Sequence, residues 1–411
     1  MAIEAEPPNP FDCQSNLRIM KLILFAFLTC IASANAADGL LLDLIVPPGE
    51  TDRFQHAEFS CWLPDAAKPV KAIIIHQHGC TNASPKKHPP ITGDWHWRAL
   101  ARKHDAALLV PMYQVAKGCD EWNDPDSGSE RSLFTALEDF SLRSKRPELK
   151  DAKWVLWGHS GGSSWSAQMI VRHPQRVLAA SFRGGCSKQF GVPEFRAKFG
   201  AIARELPLLF VWGKRESVPT SSHFVSWEPM NMMYRELREQ GGKVCRVIDP
   251  RSEHGCDDSR LMSIPFFDAV LSQEANASPS KNASEPWLPN PSFSERWREF
   301  SEKGTLLPES PPVHAPSLSV TRTAKGAQLE WRIVPDLDGG LRAIRLYRDD
   351  KQWKEIGIDE DAFLATGRDS TPEGLREHRL IDESHDHHRY SLTFLDSAGN
   401  ESPSSQMVSS A

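Results

Sequence analysis

One stretch constrains the fold of this chain more than any other: Trp154-Val155-Leu156-Trp157-Gly158-His159-Ser160-Gly161-Gly162. Its four apolar residues read as a buried strand. A Gly-x-Ser-x-Gly follows at once, and residues 163–172 then read as a helix. Strand, tight turn and helix in that order are the setting of a nucleophile elbow, in which the turn lifts a serine above the end of a sheet. Such a turn tolerates only small neighbours, and Gly158 and Gly162 supply them. The same letters also describe a glycine-rich turn with an incidental serine, and the motif alone does not separate the two.

The surrounding pattern favours a parallel sheet. Residues 40–46 and 54–63 read as two strands split by the turn Pro47-Pro48-Gly49-Glu50. Residues 71–76 and 106–110 are continuous apolar runs without polar alternation, as expected of strands covered on both faces. Helical runs are expected at 97–104 and 133–143 before the elbow, and at 232–240 after it. Further strands are expected at 177–182, 206–212 and 243–248. Strands alternating with helices imply a doubly wound, mostly parallel α/β sheet.

The loop after the third strand reads His76-Gln77-His78-Gly79-Cys80-Thr81-Asn82. For acyl transfer, a loop in this place must aim a backbone N–H at a developing oxyanion. Cys80 or its neighbour Gly79 is the candidate donor, with Gly161, next after the serine, as the second. Glycine beside the histidine lets the backbone approach a substrate. The other reading is a loop that merely ends a strand. His76 and His78 lie at the spacing of one strand face, but no third ligand accompanies them, so no metal is expected.

His78-Gly79-Cys80-Thr81-Asn82, Trp97-Arg98-Ala99-Leu100-Ala101, Ala107-Leu108-Leu109-Val110-Pro111 and Cys119-Asp120-Glu121-Trp122 together resemble the polyhydroxybutyrate-depolymerase-type esterases. These belong to the α/β-hydrolase superfamily, and the group includes feruloyl and acetyl-xylan esterases. The resemblance spans roughly residues 70–270. It implies an α/β-hydrolase fold and an esterase reaction. One departure stands out: the family usually has alanine after the nucleophile, where this chain has Gly161. Cys80 and Cys119 follow strands that should be neighbours. A disulfide between them would pin the oxyanion loop, and two buried thiols are the alternative. Trp95, Trp97 and Trp122 gather at the same end of the sheet, as cleft walls or as packing.

Two further residues complete a catalytic set. The strand at 177–182 ends in Arg183-Gly184-Gly185-Cys186 with no carboxylate, which removes one usual place for a triad acid. α/β-Hydrolases commonly place a Gly-x-x-Asp after the following strand, and here Gly213-Lys214-Arg215-Glu216 follows the strand at 206–212. Glutamate can serve, because the acid orients the histidine and stabilises its imidazolium. His254 lies on the loop after the last strand, within Glu253-His254-Gly255-Cys256. The order Ser160, Glu216, His254 is that of α/β-hydrolases. Asp249, Asp257 and Asp258 are rivals for the acid role, and an exposed loop glutamate is the alternative for Glu216. Cys186 and Cys256 are a candidate second bridge, holding the histidine loop.

Outside this region the chain carries a leader and a second domain. Met20-Lys21, the apolar run 22–31 and Ala34-Asn35-Ala36 describe a secretory signal peptide, with Met20 as the candidate true start. The run is too short to span a bilayer. Cleavage after Ala36 would leave six cysteines in an exported chain, enough for three disulfides. A formal net charge of −6 leaves no basic footprint for nucleic acid. Residues 271–316 are rich in Pro and Ser, with one short helix expected at 293–300. From Ser317 the apolar period becomes two, at 318–321, 328–333, 344–347 and 390–394, separated by turn residues. The pattern implies an all-β sandwich. Trp331, Asp338-Gly339-Gly340 before Tyr347-Arg348-Asp349, and Tyr390 leading to Asp396-Ser397-Ala398-Gly399-Asn400 resemble a fibronectin type III domain, with Tyr390 as its tyrosine corner. His385-Asp386-His387-His388 reads as a solvated loop.

The expected organisation is a leader at 1–36 with the signal peptide at 20–36, an α/β-hydrolase domain at 37–274, a linker at 275–315 and a fibronectin type III-like domain at 316–411. The expected activity is that of an exported serine hydrolase, periplasmic or secreted. It would cleave small or polymeric carboxylic esters through Ser160, His254 and Glu216, without a cofactor, metal or stable membrane anchor. The C-terminal domain would offer surface or carbohydrate contact. A serine peptidase on the same fold and a non-catalytic binding protein are the alternatives.

Overall fold

The computed structural model describes residues 39–64, 68–80, 91–304, 310–357 and 378–410, within a compact unit spanning residues 34–411. The expected signal peptide and start site lie outside the described residues. Among the described residues no helix is long and apolar enough to cross a membrane.

The larger layer is an eight-stranded sheet of β1 (Leu40–Val46), β2 (His56–Leu63), β3 (Ala72–Gln77), β4 (Ala106–Gln114), β5 (Lys153–His159), β6 (Val177–Arg183), β7 (Leu208–Gly213) and β8 (Val244–Asp249). Their order across the sheet is β1-β2-β4-β3-β5-β6-β7-β8. β2 is antiparallel to both β1 and β4, and all other pairs are parallel. This mixed sheet fits the α/β-hydrolase arrangement expected above. β4 runs past the expected end, through Pro111. Its parallel pairing with β3 stops at Leu109, so Pro111 has only β2 beside it and its missing N–H takes no bond from β3.

The helices are α1 (Trp95–Lys103), α2 (Ser129–Ser144), α3 (Gly161–Arg172), α4 (Ser187–Gly191), α5 (Pro193–Ala203), α6 (Phe224–Glu239), α7 (Arg260–Leu271) and α8 (Pro291–Lys303). Alternate residues of the central strands feed two cores. Ile73 and Ile75 of β3, with Trp154 and Leu156 of β5, pack with α2, α3, α5 and α6. Ala72 and Ile74, with Val155 and Trp157, pack on the other face with α1, α7 and α8. Burying side chains of this size stabilises by about 1.5–3 kcal/mol each. Trp287, Phe293 and Phe300, in the Pro/Ser-rich stretch, are buried in the second core. α6 begins eight residues before its expected start and contains Pro229. Proline reads as a breaker in sequence, but here it sits in the second turn of a helix anchored by Met230, Met233, Tyr234 and Leu237.

The C-terminal part is all-β. β9 (Ser317–Thr323), β10 (Gly326–Arg332) and β13 (Arg379–Asp382) form one antiparallel sheet in the order β13-β10-β9. β11 (Ala343–Arg348), β12 (Lys351–Gly357), β14 (Arg389–Leu395) and β15 (Val408–Ser409) form the other, in the order β12-β11-β14-β15. Ala327, Leu329 and Trp331 from one sheet meet Ile344, Leu346, Leu392 and Phe394 from the other in a single core, as in a β-sandwich. Tyr390 is buried, and its hydroxyl donates to Asp382 Oδ2 at 2.8 Å, a side chain rather than a backbone carbonyl. In the histidine-rich loop, His388 Nδ1 lies 2.6 Å from Asp349 Oδ2 and its Nε2 lies 3.1 Å from Ser384 Oγ.

The sandwich rests on α1. Trp95 belongs to its core and meets His378 edge-on, with centroids 4.5 Å apart. The Nε2 of His96 donates to the Leu337 carbonyl at 2.9 Å, and Arg296 of α8 pairs with Asp338 at 2.8 Å. Buried Asp94 caps α1, accepting from the N–H groups of His96 and Trp97, and pairs with Arg260 of α7 at 2.6 Å.

Candidate active site

Ser160 stands between the end of β5 and the start of α3 with φ +52° and ψ −114°. A non-glycine residue in that region costs about 1–3 kcal/mol, a strain that surrounding packing must hold. The packing is visible in the glycines around it. A Cβ on Gly158 would lie 2.5 Å from the Gly162 carbonyl, and one on Gly162 would lie 2.2 Å from the Gln77 carbonyl. Strand, turn and helix thus close on one another with no room for side chains. Ser160 N–H donates to the Arg183 carbonyl at 2.9 Å.

Glu216 and His254 meet. His254 Nδ1 lies 2.5 Å from Glu216 Oε1, and a carboxylate only accepts, so Nδ1 carries the hydrogen. That leaves Nε2 as the basic nitrogen. It is buried and hydrogen-bonds nothing among the described residues. The other oxygen of Glu216 accepts from Gly213 N–H at 2.8 Å and faces Arg183 Nη1 at 3.3 Å. Burial alone would push the Glu216 carboxyl up. The His254 hydrogen bond, the Arg183 charge and the Gly213 N–H outweigh it and hold the group below the ordinary glutamate range. Gly184 and Gly185, next to each other after β6, connect the parts. A Cβ on Gly184 would lie 3.0 Å from the His254 ring, and one on Gly185 would lie 2.1 Å from the Ser160 carbonyl.

The rival acids are engaged elsewhere. Asp249 Oδ1 accepts from Arg251 N–H at 2.9 Å, and Asp258 pairs with Arg251 at 2.5 Å. The side chain of Asp257 lies outside what is described.

The candidate oxyanion donors converge on the same place. Gly161 is the first residue of α3, where helical N–H groups have no intrahelical partner and the helix dipole is positive. A Cβ on Gly79 would lie 3.0 Å from Ser160 Cβ, so this loop reaches the serine. Cys80 and Cys119 form a disulfide with Cα atoms 4.9 Å apart. Its sulfurs lie against Gly161, where a Cβ would fall 2.1 Å from Cys119 Sγ and 2.7 Å from Cys80 Sγ. In this chain the disulfide leaves Gly161 no room for a side chain.

The expected Cys186–Cys256 bridge is absent. Neither residue is in a disulfide and both are buried, Cys186 in the core on one face of the sheet and Cys256 in the core on the other. Burial pushes the Cys186 thiol well above the usual range. The gathered tryptophans are packing: Trp95, Trp97 and Trp122 are all buried. His76 is buried too, stacked on Trp157 with centroids 3.9 Å apart. Among the described residues no group of three metal-binding side chains is placed to hold an ion.

Three residues that sequence reasoning did not assign surround the pair. Arg183, fully buried, reaches from β6 under the histidine loop. It donates to Ser252 Oγ at 3.0 Å, to the Glu253 carbonyl at 2.7 Å and to the Gly255 carbonyl. His159 Nε2 donates to the His254 carbonyl at 2.7 Å. Three successive carbonyls, at 253, 254 and 255, are therefore held. Desolvation, then the charges at His254 and Arg183, keep the His159 imidazole well below the ordinary histidine range. His223, just before α6, stacks on His254. No motif or spacing in the sequence pointed to the role of any of the three.

The chain matches no protein-family model and no curated protein sequence. Among solved structures it is similar to a ferulic acid esterase, at 12% identity and a TM-score of 0.42, over 58% of this chain and all of that one. It is also similar to an S-formylglutathione hydrolase from Agrobacterium tumefaciens, at 12% identity and 0.39, over 59% and 96% of the two chains. A siderophore hydrolase from Aspergillus nidulans gives 12% identity and 0.38, over 60% and 98%.

Proposed function

We propose that this chain is an exported serine hydrolase that cleaves carboxylic esters, with Ser160 as nucleophile, His254 as general base and Glu216 as the acid that orients it. The observation that supports this most directly is the Glu216–His254 hydrogen bond, which fixes the ring tautomer and leaves Nε2 as the basic nitrogen, with no hydrogen bond among the described residues.

In this reading His254 Nε2 takes the proton of the Ser160 hydroxyl as its oxygen attacks the ester carbonyl. The oxyanion is met by the N–H of Gly161 and that of Cys80 or Gly79, each worth about 3–4 kcal/mol to the transition state. His254 returns the proton to the departing alcohol. A water molecule then attacks the acyl-enzyme by the same route and releases the acid. Glu216, kept ionised, balances the imidazolium formed in each step.

The α/β part at 37–274 would be the catalytic domain, joined through 275–315 to a fibronectin type III-like domain at 316–411. The strand order of the two C-terminal sheets supports the latter identity. Hydrolysis of a p-nitrophenyl acyl ester series by the wild type and by Ser160→Ala tests the reading. We expect activity in the first and its loss by several orders of magnitude in the second. Equal rates in the two would abandon it.

A further inference from the structure

His223 and His254 lie face to face, with ring centroids 3.8 Å apart and planes 3° from parallel. We propose that His223 is a positioning residue: its ring holds the imidazole of His254 against Glu216 and stabilises that imidazole when it becomes a cation. This rests on the assignment of His254 as the base.

The geometry carries the reasoning. Two neutral aromatic rings prefer offset or edge-on packing to a near face-to-face stack, because their quadrupoles oppose. A cation over a ring face is attracted instead. The stack therefore offers little while both rings are neutral and most when His254 has taken the serine proton. An interaction stronger in the transition state than in the ground state speeds the chemical step.

The surroundings keep His223 in place and neutral. Its N–H donates to Ser221 Oγ at 3.1 Å, and that hydroxyl donates to Glu253 Oε1 at 2.5 Å. Its Nδ1 lies 3.2 Å from Ser222 Oγ and 3.9 Å from Glu253 Oε1. The charged groups facing it are His254, Glu216 and Glu253. Burial first, and then the charge on His254, hold His223 below the ordinary histidine range against the pull of the two carboxylates.

The test compares His223→Phe, which keeps an aromatic face, with His223→Leu and His223→Ala, which remove it. Ester hydrolysis gives kcat and KM, and proton NMR of the intact protein gives the ring-current shift of the His254 Cε1 proton. We expect kcat to fall about 3- to 30-fold in the leucine and alanine variants, with KM unchanged. The His254 resonance should move downfield in both. In His223→Phe, kcat should return to within about twofold and the resonance should stay upfield. A kcat unchanged in His223→Leu and His223→Ala, or a His223→Phe as slow as they are, overturns the role of His223. Hydrolysis that survives Ser160→Ala instead overturns the reading of the site, and this proposal with it.

Discussion

Replacing Gly161 by alanine should be damaging for a reason that lies in another part of the chain. The added Cβ would sit 2.1 Å from Cys119 Sγ and 2.7 Å from Cys80 Sγ. Carbon contacts are comfortable at about 3.5–4.0 Å, so the methyl group and the disulfide must separate by more than about 1 Å. Neither side yields freely: Gly161 opens a helix packed on one face of the sheet, and the sulfurs are tied to each other. Overpacking of this kind costs about 1–3 kcal/mol. Any relief also moves the Gly161 or Cys80 N–H, and a misplacement of about 1 Å costs on the order of 100-fold in rate. Removing the bridge with Cys80→Ala/Cys119→Ala opens the space, at a loss of about 4 kcal/mol for a loop closed across 39 residues. Gly161→Ala, Cys80→Ala/Cys119→Ala and the combination of the two, measured with the wild type by thermal unfolding and kcat/KM, form a cycle. We expect Gly161→Ala to harm the bridged protein much more than the unbridged one. Wild-type behaviour of Gly161→Ala, or strict additivity across the cycle, would refute the steric account.

Glu216→Gln keeps the shape but loses the charge and offers the wrong hydrogen-bond pattern to His254; kcat should fall about 10³–10⁴-fold with little change in KM, and a loss under tenfold would reassign the acid. Arg183→Met removes one partner of a fully buried ion pair and frees two loop carbonyls; urea unfolding should show about 3–5 kcal/mol of destabilisation, and a change below 1 kcal/mol would contradict the clamp. Because the native His159 resists protonation, the unfolded chain binds more protons once the pH drops below about 6.5. Stability should then decline by up to about 1.4 kcal/mol per pH unit from this group as the pH falls toward its depressed native range. His159→Gln, which retains an N–H donor for the His254 carbonyl, should flatten that acid slope, as read from urea melts at stepped pH.

The positions of the elbow, Glu216 and His254 were legible because this architecture carries its loops, and the polar side chains on them, at the ends of the strands. Ser160, Glu216 and His254 each follow a readable apolar strand. The Cys80–Cys119 pairing followed from loops over adjacent strands. The failed Cys186–Cys256 pairing shows the limit: sequence put both near the same loop, but the sheet stands between their side chains. Arg183 was invisible because a buried arginine is recognised only by the carbonyls and carboxylate around it, which come from 216 and 252–255. The start of α6 was hidden by Pro229, whose penalty is offset by core contacts that no local propensity reports. His223 precedes that hidden helix, and its stack was hidden with it.

The seat of the C-terminal sheets on α1 bears on how this chain could be cut or recombined. Trp95 belongs to the sandwich core, while its neighbour Trp97 belongs to the other. A fragment ending at Gly304 would leave the Trp95 indole facing water and the His96 Nε2–H without the Leu337 carbonyl. A sandwich grafted from elsewhere would land on a helix shaped for a different guest. The two halves are thus poorly suited to exchange as independent modules, and substitutions at 95, 96, 337 and 378 should be inherited together.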